Sequence, residues 1–358
     1  MLKSDLLKGV QITENIISPH LTLPILSNIL LDTSLEKLKL ITTDLDICMT
    51  YDLLVEIEES GSITIPAKKF ADIIRELPEE KILINVKKNN LVTIETKSCQ
   101  FKLFGLPKEE FPRLPEFKDK QIFKLNQSVL KKMLDLTTFC ISREEVRYIL
   151  NGILFKIDRD FLELVATDGR RLAVVKRKIP LQIQKEISVV IPLKTALELN
   201  RNLKEGELSL MFGDNQIFFD LGKITIISRL IEGEFPDYQQ VVPPPIENKL
   251  KIDRLSFLSS LKRAALLSIT DHQAVKFEIF KDRLIISKST PDIGESYEEI
   301  PIQYQGKELI LGFNPYYLID VLKNLEKETI ELELADPERP VVIRTEDYLY
   351  MLMPIKMG

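Results

Sequence analysis

Alternating apolar and polar positions predict three β-hairpins at regular intervals along the chain. In each hairpin, two runs rich in β-branched residues flank a short polar turn, and an aspartate follows the second run. The three segments are NILLDTSLEKLKLITTD at 28–44, NGILFKIDRDFLELVATD at 151–168 and AVKFEIFKDRLIISKSTPD at 274–292. The closing Asp44, Asp168 and Asp292 are 124 residues apart in each step, which predicts an internal repeat of that period.

Two helices and a closing strand accompany each hairpin. Apolar residues recur at helical spacing before the hairpins, in 6–17, 129–139 and 257–267. A second helix, with a proline near its start, is predicted after each hairpin from Ile65, Ile191 and Phe313. The closing strands are predicted within 101–112, 224–238 and 348–357. The predicted class is therefore α+β, with three repeated domains that are each β-rich and carry two helices.

Turn-rich segments separate the repeats. Prolines and charged residues are frequent in 111–121, and a proline cluster lies in 241–249. We therefore predict three domains, which comprise residues 1–118, 122–243 and 247–358.

The composition is that of an ordinary globular protein, with 358 residues, 44% hydrophobic and 29% charged. No run of eighteen apolar residues occurs, and charged side chains interrupt the first seventeen positions. We therefore expect neither a membrane span nor a signal peptide, and we predict a cytoplasmic protein.

The usual ligands and bases of enzyme sites are scarce. Three cysteines, Cys48, Cys99 and Cys140, lie far apart without a CxxC spacing, and the two histidines are His20 and His272. This pattern favours neither a disulfide framework nor a zinc site, and it offers few general bases. We therefore expect no cofactor, no metal and no catalytic activity.

Positive charge is concentrated in the predicted helices. Six helical windows contain thirteen Lys or Arg against eight Asp or Glu, although the whole chain carries a net charge of −5. Lys and Arg are also good helix formers that decorate solvated faces, so the count alone leaves that explanation open. The segregation of charge favours a polyanion held through its phosphates. The chief contributors are Lys68, Lys69, Arg75, Lys131, Lys132, Lys194, Arg201, Lys262 and Arg263.

The segment VATDGRRLAV at 165–174 concentrates charge between two apolar runs. An enzyme that uses Asp168 with Arg170 and Arg171 for phosphoryl or glycosyl chemistry is one alternative. It is disfavoured because no second carboxylate, nucleophile or P-loop lies nearby. Asp44, the counterpart in the first repeat, lacks the glycine and the arginines. The aspartate is therefore interpreted as an architectural turn, and the residues after it as special to the middle repeat.

Several segments together closely resemble the bacterial sliding clamps, the beta subunits of DNA polymerase III. They are VATDGRRLAV, TLPILSNILL, IPAKKFADIIRELP, VRYILNGILF, EGEFPDY, LGFNPYYLIDVL and the terminal MPIK. The resemblance spans the whole chain and keeps the order of the segments. It implies a homodimer joined head to tail into a closed ring, with the helices facing duplex DNA without regard to sequence. It also implies a processivity factor that an ATP-driven clamp loader opens and that catalyses nothing.

The resemblance implies three sets of functional residues. A hydrophobic pocket would bind short linear peptides of the DNA polymerase III catalytic subunit, the clamp loader, other polymerases and repair proteins. Its residues would be Leu150, Thr167, Gly169, Arg170, Arg171, Leu172, Pro236, Val241, Asn314, Tyr317, Met351, Met353, Pro354 and Ile355. The dimer interface would comprise Phe101, Leu103, Leu266 and Leu267, with Glu295, Glu298 and Glu299 facing Lys69. Arg143 and Arg147 would join the helix cations on the DNA side.

Four positions depart from the pattern of the family. Arg170 stands where histidine is frequent and Ile355 where methionine is frequent, which predicts a more positive pocket rim and a different peptide preference. His20 stands where some members have an arginine that contacts DNA, and Glu144 where they have a polar, uncharged residue. The DNA contacts at these two points are expected to be weaker or displaced to Lys68, Arg143 and Arg147. A repeat scaffold that binds proteins but not DNA remains the alternative function.

Overall fold

The computed structural model describes residues 1–17, 23–33, 36–78, 81–115, 117, 120–179, 185–247, 249–269 and 273–356, without the side chain of Glu145. His20 and His272 lie outside the described residues.

Helices and strands follow one another in the same order in each third of the chain, except that a strand precedes the first helix only in the middle and last thirds. The first third contains α1 (Lys3–Glu14), β1 (Asn28–Asp32), β2 (Leu38–Thr43), β3 (Ile47–Leu53), β4 (Ser62–Pro66), α2 (Ala67–Glu76), β5 (Leu83–Val86), β6 (Leu91–Glu95) and β7 (Gln100–Phe104). The middle third contains β8 (Phe123–Asn126), α3 (Gln127–Asp135), β9 (Gly152–Asp158), β10 (Phe161–Thr167), β11 (Arg171–Lys178), β12 (Ile187–Pro192), α4 (Leu193–Asn202), β13 (Glu207–Phe212), β14 (Gln216–Asp220) and β15 (Ile224–Arg229). The last third contains β16 (Lys249–Asp253), α5 (Arg254–Ala265), β17 (Val275–Ile279), β18 (Arg283–Thr290), β19 (Gly294–Pro301), β20 (Leu309–Phe313), α6 (Pro315–Asn324), β21 (Thr329–Glu333), β22 (Val341–Arg344) and β23 (Tyr348–Leu352). Short 3-10 helices lie at Pro24–Ser27, Lys108–Glu110, Thr138–Cys140, Glu145–Leu150 and Tyr238–Val241.

The predicted repeat is confirmed by the strand pairing. One antiparallel set has the order β4-β1-β2-β3 in the first third, β12-β9-β10-β11 in the middle third and β20-β17-β18-β19 in the last. Each predicted hairpin is the central pair of its set, as in the pairing of Leu30 with Ile41. The closing strands β7, β15 and β23 belong to a second antiparallel set. Its order is β5-β6-β7 in the first third, β8-β13-β14-β15 in the middle third and β16-β21-β22-β23 in the last.

Strand pairing also joins successive repeats. β3 pairs with β15, so the first and middle repeats share an eight-stranded sheet, β4-β1-β2-β3-β15-β14-β13-β8. β11 pairs with β23, so the middle and last repeats share a second one, β12-β9-β10-β11-β23-β22-β21-β16. Because of this sharing, the chain divides into two compact units, residues 1–128 with 201–230 and residues 129–200 with 231–358.

The unit of residues 1–128 and 201–230 packs α1 on its sheet. Leu6 and Val10 of α1 are fully buried, and the helix contacts β2 and β3. A Cβ atom on Gly9 would lie 2.7 Å from the ring of Tyr51, so glycine at this position lets helix and sheet approach closely. The apolar residues that recur at helical spacing in this segment therefore form the side of α1 that faces the core.

The unit of residues 129–200 and 231–358 packs α5 against α6 and against β18 and β19. Its centre contains a row of aromatic rings, in which Phe277 lies 6.0 Å from Phe257 and 5.1 Å from Phe313, both edge to face. No helix within the described ranges is long and apolar enough to cross a membrane.

Two details differ from the sequence predictions. Pro315 occupies the first turn of α6, but Pro66 and Pro192 are the last residues of the strands that precede α2 and α4. These two prolines therefore stand immediately before the helix, where the missing N–H of proline breaks no hydrogen bond within the helix. The three closing aspartates are also not equivalent, as the turns that contain them show below.

Candidate functional site

The turn between β10 and β11 is built by Asp168. Its Oδ1 accepts hydrogen bonds from the backbone N–H groups of Arg170 at 2.9 Å and Arg171 at 3.0 Å. Asp44 makes the same turn in the first repeat, with Asp46 at 3.0 Å and Ile47 at 2.8 Å. The architectural role predicted for Asp44 and Asp168 is therefore confirmed.

Asp292, the counterpart of these aspartates in the last repeat, was expected to share this architectural role, and its turn differs. This residue has a φ of 61° and lies in the connection between β18 and β19, where Ile293 N–H donates to the Thr290 carbonyl. The connection is a tight hairpin turn, so the carboxylate is not needed to hold the next strand.

The turn places Gly169 in the left-handed region, with a φ of 86°, and the first repeat places its counterpart Leu45 there too, with a φ of 81°. What is special to the middle repeat is the neighbour of the glycine. A Cβ atom there would lie 2.6 Å from Nη1 of Arg147. The Arg147 guanidinium therefore lies against Gly169. The sequence analysis predicts Arg147 on the DNA side and Gly169 in the pocket.

Arg171, which the sequence analysis predicts in the pocket, is buried, with a relative exposure of 9%. Its guanidinium donates to Asp168 Oδ2 at 3.1 Å, to Asp320 Oδ2 at 2.8 Å and to the carbonyl of Phe139. The same group lies 4.2 Å from the centroid of the Tyr317 ring. Arg171 therefore links β11 to α6 and supports the pocket from beneath.

Asn314 is likewise committed to the fold. Its Oδ1 accepts from Tyr316 N–H at 3.0 Å as the N-cap of α6, and its Nδ2 donates to Gln273 Oε1 at 2.8 Å. The residue is buried, and these two bonds leave its amide one further N–H donor and one further acceptor position.

The C-terminal segment after β23 is fixed by two backbone hydrogen bonds. Met353 N–H donates to the Arg170 carbonyl at 2.9 Å, and Ile355 N–H donates to the Gly312 carbonyl at 2.8 Å. The segment thus runs from the start of β11 to β20, while the side chains of Met353 and Ile355 remain exposed. Pro354 between them is half-buried.

Beneath this segment lies an apolar floor. Leu172 and Met351 pair across β11 and β23 and are buried in one cluster with Leu154, Val165, Val190 and Val342. Half-buried Phe235, Tyr238 and Val242 pack against the same cluster. The predicted Leu150 is also buried, whereas Pro236 and Val241 are exposed beside this floor.

The predicted pocket residues therefore fall into two groups, and Arg170 belongs to the accessible one. Leu150, Leu172 and Met351 are buried, and Arg171 and Asn314 are buried and hydrogen-bonded. The accessible group comprises Thr167, Gly169, Arg170, Pro236, Val241, Tyr317, Met353, Pro354 and Ile355. The neighbouring Tyr317 side chain raises the pKa of Arg170, and Nη2 of Arg170 lies 3.6 Å from Glu144 Oε1. Thr167 Oγ1 donates to the Arg171 carbonyl at 2.7 Å.

Nucleophilic chemistry at this site finds no support. Cys140 lies beside Arg171, but burial raises the pKa of its thiol well above the ordinary value. Burial raises the pKa of Tyr348 and Tyr350 in the same way, and their hydroxyls donate to the carbonyls of Leu136 and Tyr317. Within the described ranges, no group of three or more His, Cys, Asp or Glu could hold a metal ion.

The predicted apolar interface residues lie on the edge strand β7 and just after the end of α5. Phe101 is exposed and Leu103 half-buried on β7, while Leu266, just after α5, is 80% exposed and Leu267 half-buried. Phe104, which the sequence analysis did not single out, is 79% exposed on the same β7.

The acidic residues of β19 already have partners within the chain. Arg263 donates to both carboxylate oxygens of Glu298, at 2.5 and 2.6 Å. Glu295 accepts from Ser289, and Glu299 accepts from Tyr297. The predicted role of Arg263 as a DNA-facing charge is therefore weakened, because a bound carboxylate neutralises it.

The other predicted DNA-facing cations differ in whether a side chain or a carbonyl already pairs with them. Arg75 pairs with Asp72 at 2.9 Å, Lys131 donates to the carbonyl and side chain of Asn200, and Lys132 lies 3.4 Å from Glu326. Among the residues that the structure describes, no carboxylate lies within 4.0 Å of the exposed Lys68, Lys69, Arg143, Arg147 and Lys262. Lys194 is half-buried and Arg201 exposed, both on α4.

Family models match the chain along nearly all of its length. Residues 1–115 match the N-terminal domain of the DNA polymerase III beta subunit, residues 124–237 its central domain and residues 239–356 its C-terminal domain. The beta sliding clamp of Pseudomonas putida is 33% identical over 99% of this chain and 98% of its own.

Solved structures give the same result. The DNA polymerase sliding clamp of Bacillus subtilis superposes with a TM-score of 0.95 at 29% identity, over 100% of this chain and 98% of that one. A sliding clamp from Bartonella birtlesii bound to griselimycin has a TM-score of 0.94 at 36% identity, over 99% of this chain and 98% of that one.

Proposed function

We propose, from the premise that this chain belongs to the family of DNA polymerase III beta subunits, that it is a DNA sliding clamp. Two copies would join head to tail into a closed ring around duplex DNA. The ring would tether the replicative polymerase and other proteins through the peptide site built on β11, α6 and the C-terminal segment.

The observation that carries this proposal is a strand pairing that occurs twice between successive repeats, while the strands that would form a third such pair both have an unpaired edge. β3 of the first repeat pairs with β15 of the middle repeat, and β11 of the middle repeat pairs with β23 of the last. The strands that continue this series are β19 of the last repeat and β7 of the first. Each is the edge strand of its own sheet in the part of the chain that the structure describes.

An open strand edge exposes backbone groups that another strand can pair with. Pairing β19 of one copy with β7 of a second copy would repeat the contact that the chain already makes twice. The same contact at the other end would close the assembly, because the two copies are related by a twofold axis. Lys102 on β7 and the glutamates of β19 would add charge complementarity at this edge.

DNA binding would rest on the helix cations. The exposed Lys68, Lys69, Arg143, Arg147 and Lys262 would face phosphates, so the ring would ignore base sequence and its affinity would fall with salt. Lys194 and Arg201 would add to the positive electrostatic potential on the same surface. We place the domain boundaries at 1–118, 122–243 and 247–358.

The peptide site would bind partner proteins and would not catalyse a reaction. Met353, Ile355, Tyr317 and Val241 offer accessible apolar surface over a buried floor, and methionine adapts to different apolar partners. Short linear peptides of the polymerase III catalytic subunit, the clamp loader, other polymerases and repair proteins would bind here by a Leu-Phe end. The protein would need no cofactor, would have no catalytic activity and would work in the cytoplasm.

Measuring the native mass tests the assembly that this function requires. Sedimentation should give twice the chain mass of 41.3 kDa. A monomer at micromolar concentration would count against a ring of two copies. A repeat scaffold that binds proteins but not DNA would also bind peptides, so the peptide assay alone does not separate the two functions.

A further inference from the structure

One ion pair at the proposed ring interface lies within a single copy of the chain. Arg263, in the last turn of α5, donates to both carboxylate oxygens of Glu298 on β19, at 2.5 and 2.6 Å, and to Ser260 Oγ at 3.1 Å. The Glu298 side chain is only 18% exposed. Glu295 and Glu299, its neighbours on β19, are exposed and each accept from a hydroxyl. Glu298 is therefore already bound by a cation of its own chain.

The strand register explains why Glu298 faces α5. Glu298 lies opposite Ile286 of β18, and Ile300 lies opposite Leu284. Ile286 and Leu284 are fully buried, so this side of the sheet faces the core, against which α5 packs. Successive side chains of a strand point to opposite faces, so Glu299 points away from α5. The position of Glu298 in β19 thus directs its carboxylate toward the helix.

The pair joins the two elements that carry the proposed interface. β19 is an edge strand in the part of the chain that the structure describes. Leu266, three residues after Arg263, is exposed just beyond α5. The Thr290 hydroxyl donates to the Leu267 carbonyl at 2.6 Å. The end of α5 is therefore tied to β18 through Thr290 and to β19 through Glu298.

A bidentate arginine–carboxylate pair fixes geometry as well as charge. Its two N–H groups donate to the two oxygens in parallel, so the pair is stronger and more directional than a single contact. The hydrogen bonds raise the pKa of Arg263 and lower the pKa of Glu298, so both groups carry charge at neutral pH. An interface that is ordered before its partner arrives loses less conformational freedom on binding. A fixed position of β19 relative to α5 would thus favour association with a second copy.

We propose that Arg263 and Glu298 are positioning residues for ring closure. Their pair holds the end of α5 and the edge strand β19 of one copy in the arrangement that β7 of the second copy binds. Arg263 then makes no contact with DNA, and Glu298 makes no ion pair with Lys69 of the second copy. This inference rests on the proposed ring and adds to it the pair that prepares one of its two faces for closure.

Sedimentation equilibrium of the whole protein and its variants tests the positioning role. Arg263→Ala and Glu298→Ala should each weaken the interface about threefold, and so raise the dissociation constant of the dimer about tenfold, because two identical interfaces separate. The double variant should be no weaker than either single one, since each change removes the whole pair. Arg339→Ala is the matched control and should leave the constant unchanged. Arg339 is exposed and pairs with Asp336 at 3.2 Å, between β21 and β22.

Exchanging the two charges separates positioning from simple loss of side-chain volume. Arg263→Glu and Glu298→Arg each bring like charges together, so each alone should weaken the dimer more than the alanine change does. The two reversals combined restore an attractive pair and should give a tighter dimer than either reversal alone. A role that depended only on packing would show no such recovery.

Two further measurements test the other roles open to these residues. Lys69→Ala and Glu298→Ala should have additive effects on the dimer, because the two side chains do not meet. Arg263→Ala should leave the slope of log DNA affinity against log salt unchanged at concentrations where the variant is dimeric, whereas loss of a phosphate contact lowers it by about 0.9. Coupling between Lys69 and Glu298, or a lower slope, would overturn the proposal.

The outcomes distinguish this inference from the function on which it rests. If the unaltered protein is a monomer, the proposed ring is wrong and the positioning role fails with it. If the unaltered protein is a dimer and the alanine variants behave like Arg339→Ala, the ring remains and the positioning role is wrong. A combined reversal as weak as the single reversals would also overturn the positioning role.

Discussion

The guanidinium of Arg171 lies 4.2 Å from the centre of the Tyr317 ring, and so joins the first residue of β11 to the helix α6 that follows 144 positions later. The same guanidinium pairs with Asp320, one turn after Tyr317 on α6. Because Tyr317 is an accessible residue of the proposed peptide site, the buried arginine would set the position of a surface that it does not itself form.

Arg171→Ala should lower both stability and peptide affinity. The change leaves Asp168 and Asp320 without their shared cation, and the loss should be about 2 to 3 kcal/mol because Asp320 is partly exposed. Urea unfolding followed by circular dichroism measures it. Arg229→Ala is the control, since Arg229 is exposed and its distance to Asp46 is 3.9 Å. An equal, small effect of both variants would show that the buried pair contributes nothing.

Met353→Ala should weaken peptide binding at least tenfold without changing stability. The side chain is exposed in the empty site, so truncation opens no cavity, but it removes an apolar anchor. Titration with a peptide that ends in Leu-Phe, paired with a melting curve, checks both parts. A variant that melts early or dissociates into monomers would contradict a purely local role.

Leu266→Ala combined with Leu267→Ala should produce soluble monomers. Leu266 is 80% exposed in the single chain, so its burial requires a second copy. Sedimentation velocity at micromolar concentration measures the change. Leu54→Ala is the matched control, because Leu54 is 90% exposed and has no predicted role in assembly. An unchanged dimer in the double variant would reject this interface.

Lys68→Ala combined with Lys69→Ala should reduce the salt dependence of duplex DNA binding. Each lost phosphate contact lowers the slope of log affinity against log salt by about 0.9, so two contacts lower it by about 2. Arg75→Ala on the same helix should change the slope less, because Arg75 already pairs with Asp72. Equal slopes for all three proteins would remove α2 from the DNA-facing surface.

Local patterns predicted the elements well. The period of the apolar residues gave all three hairpins and all six helices to within a few residues, because each element buries one face and so fixes its own spacing. The repeat also predicted equal topology in the three thirds. The pairing of β3 with β15 was not predicted, because alternation shows that a strand has a buried face but does not name its neighbour.

The contacts within the candidate site could not be predicted from local sequence patterns. An arginine in sequence is expected to be exposed, and the burial of Arg171 depends on Asp320, which lies 149 positions away. The one local sign was a lone carboxylate between the apolar residues Ile319 and Val321. The Arg170–Glu144 pair likewise depends on how a 3-10 turn and a β-turn meet, which spacing does not encode.

Retention on circular DNA tests the central claim most directly. The protein is loaded onto a nicked circle by a clamp loader with ATP, separated from free protein, and the DNA is then cut once with a restriction enzyme. A closed ring that encircles the duplex should remain on the uncut circle and run off the linear DNA within the time of the cut. Release at the same rate from both forms would contradict the sliding clamp.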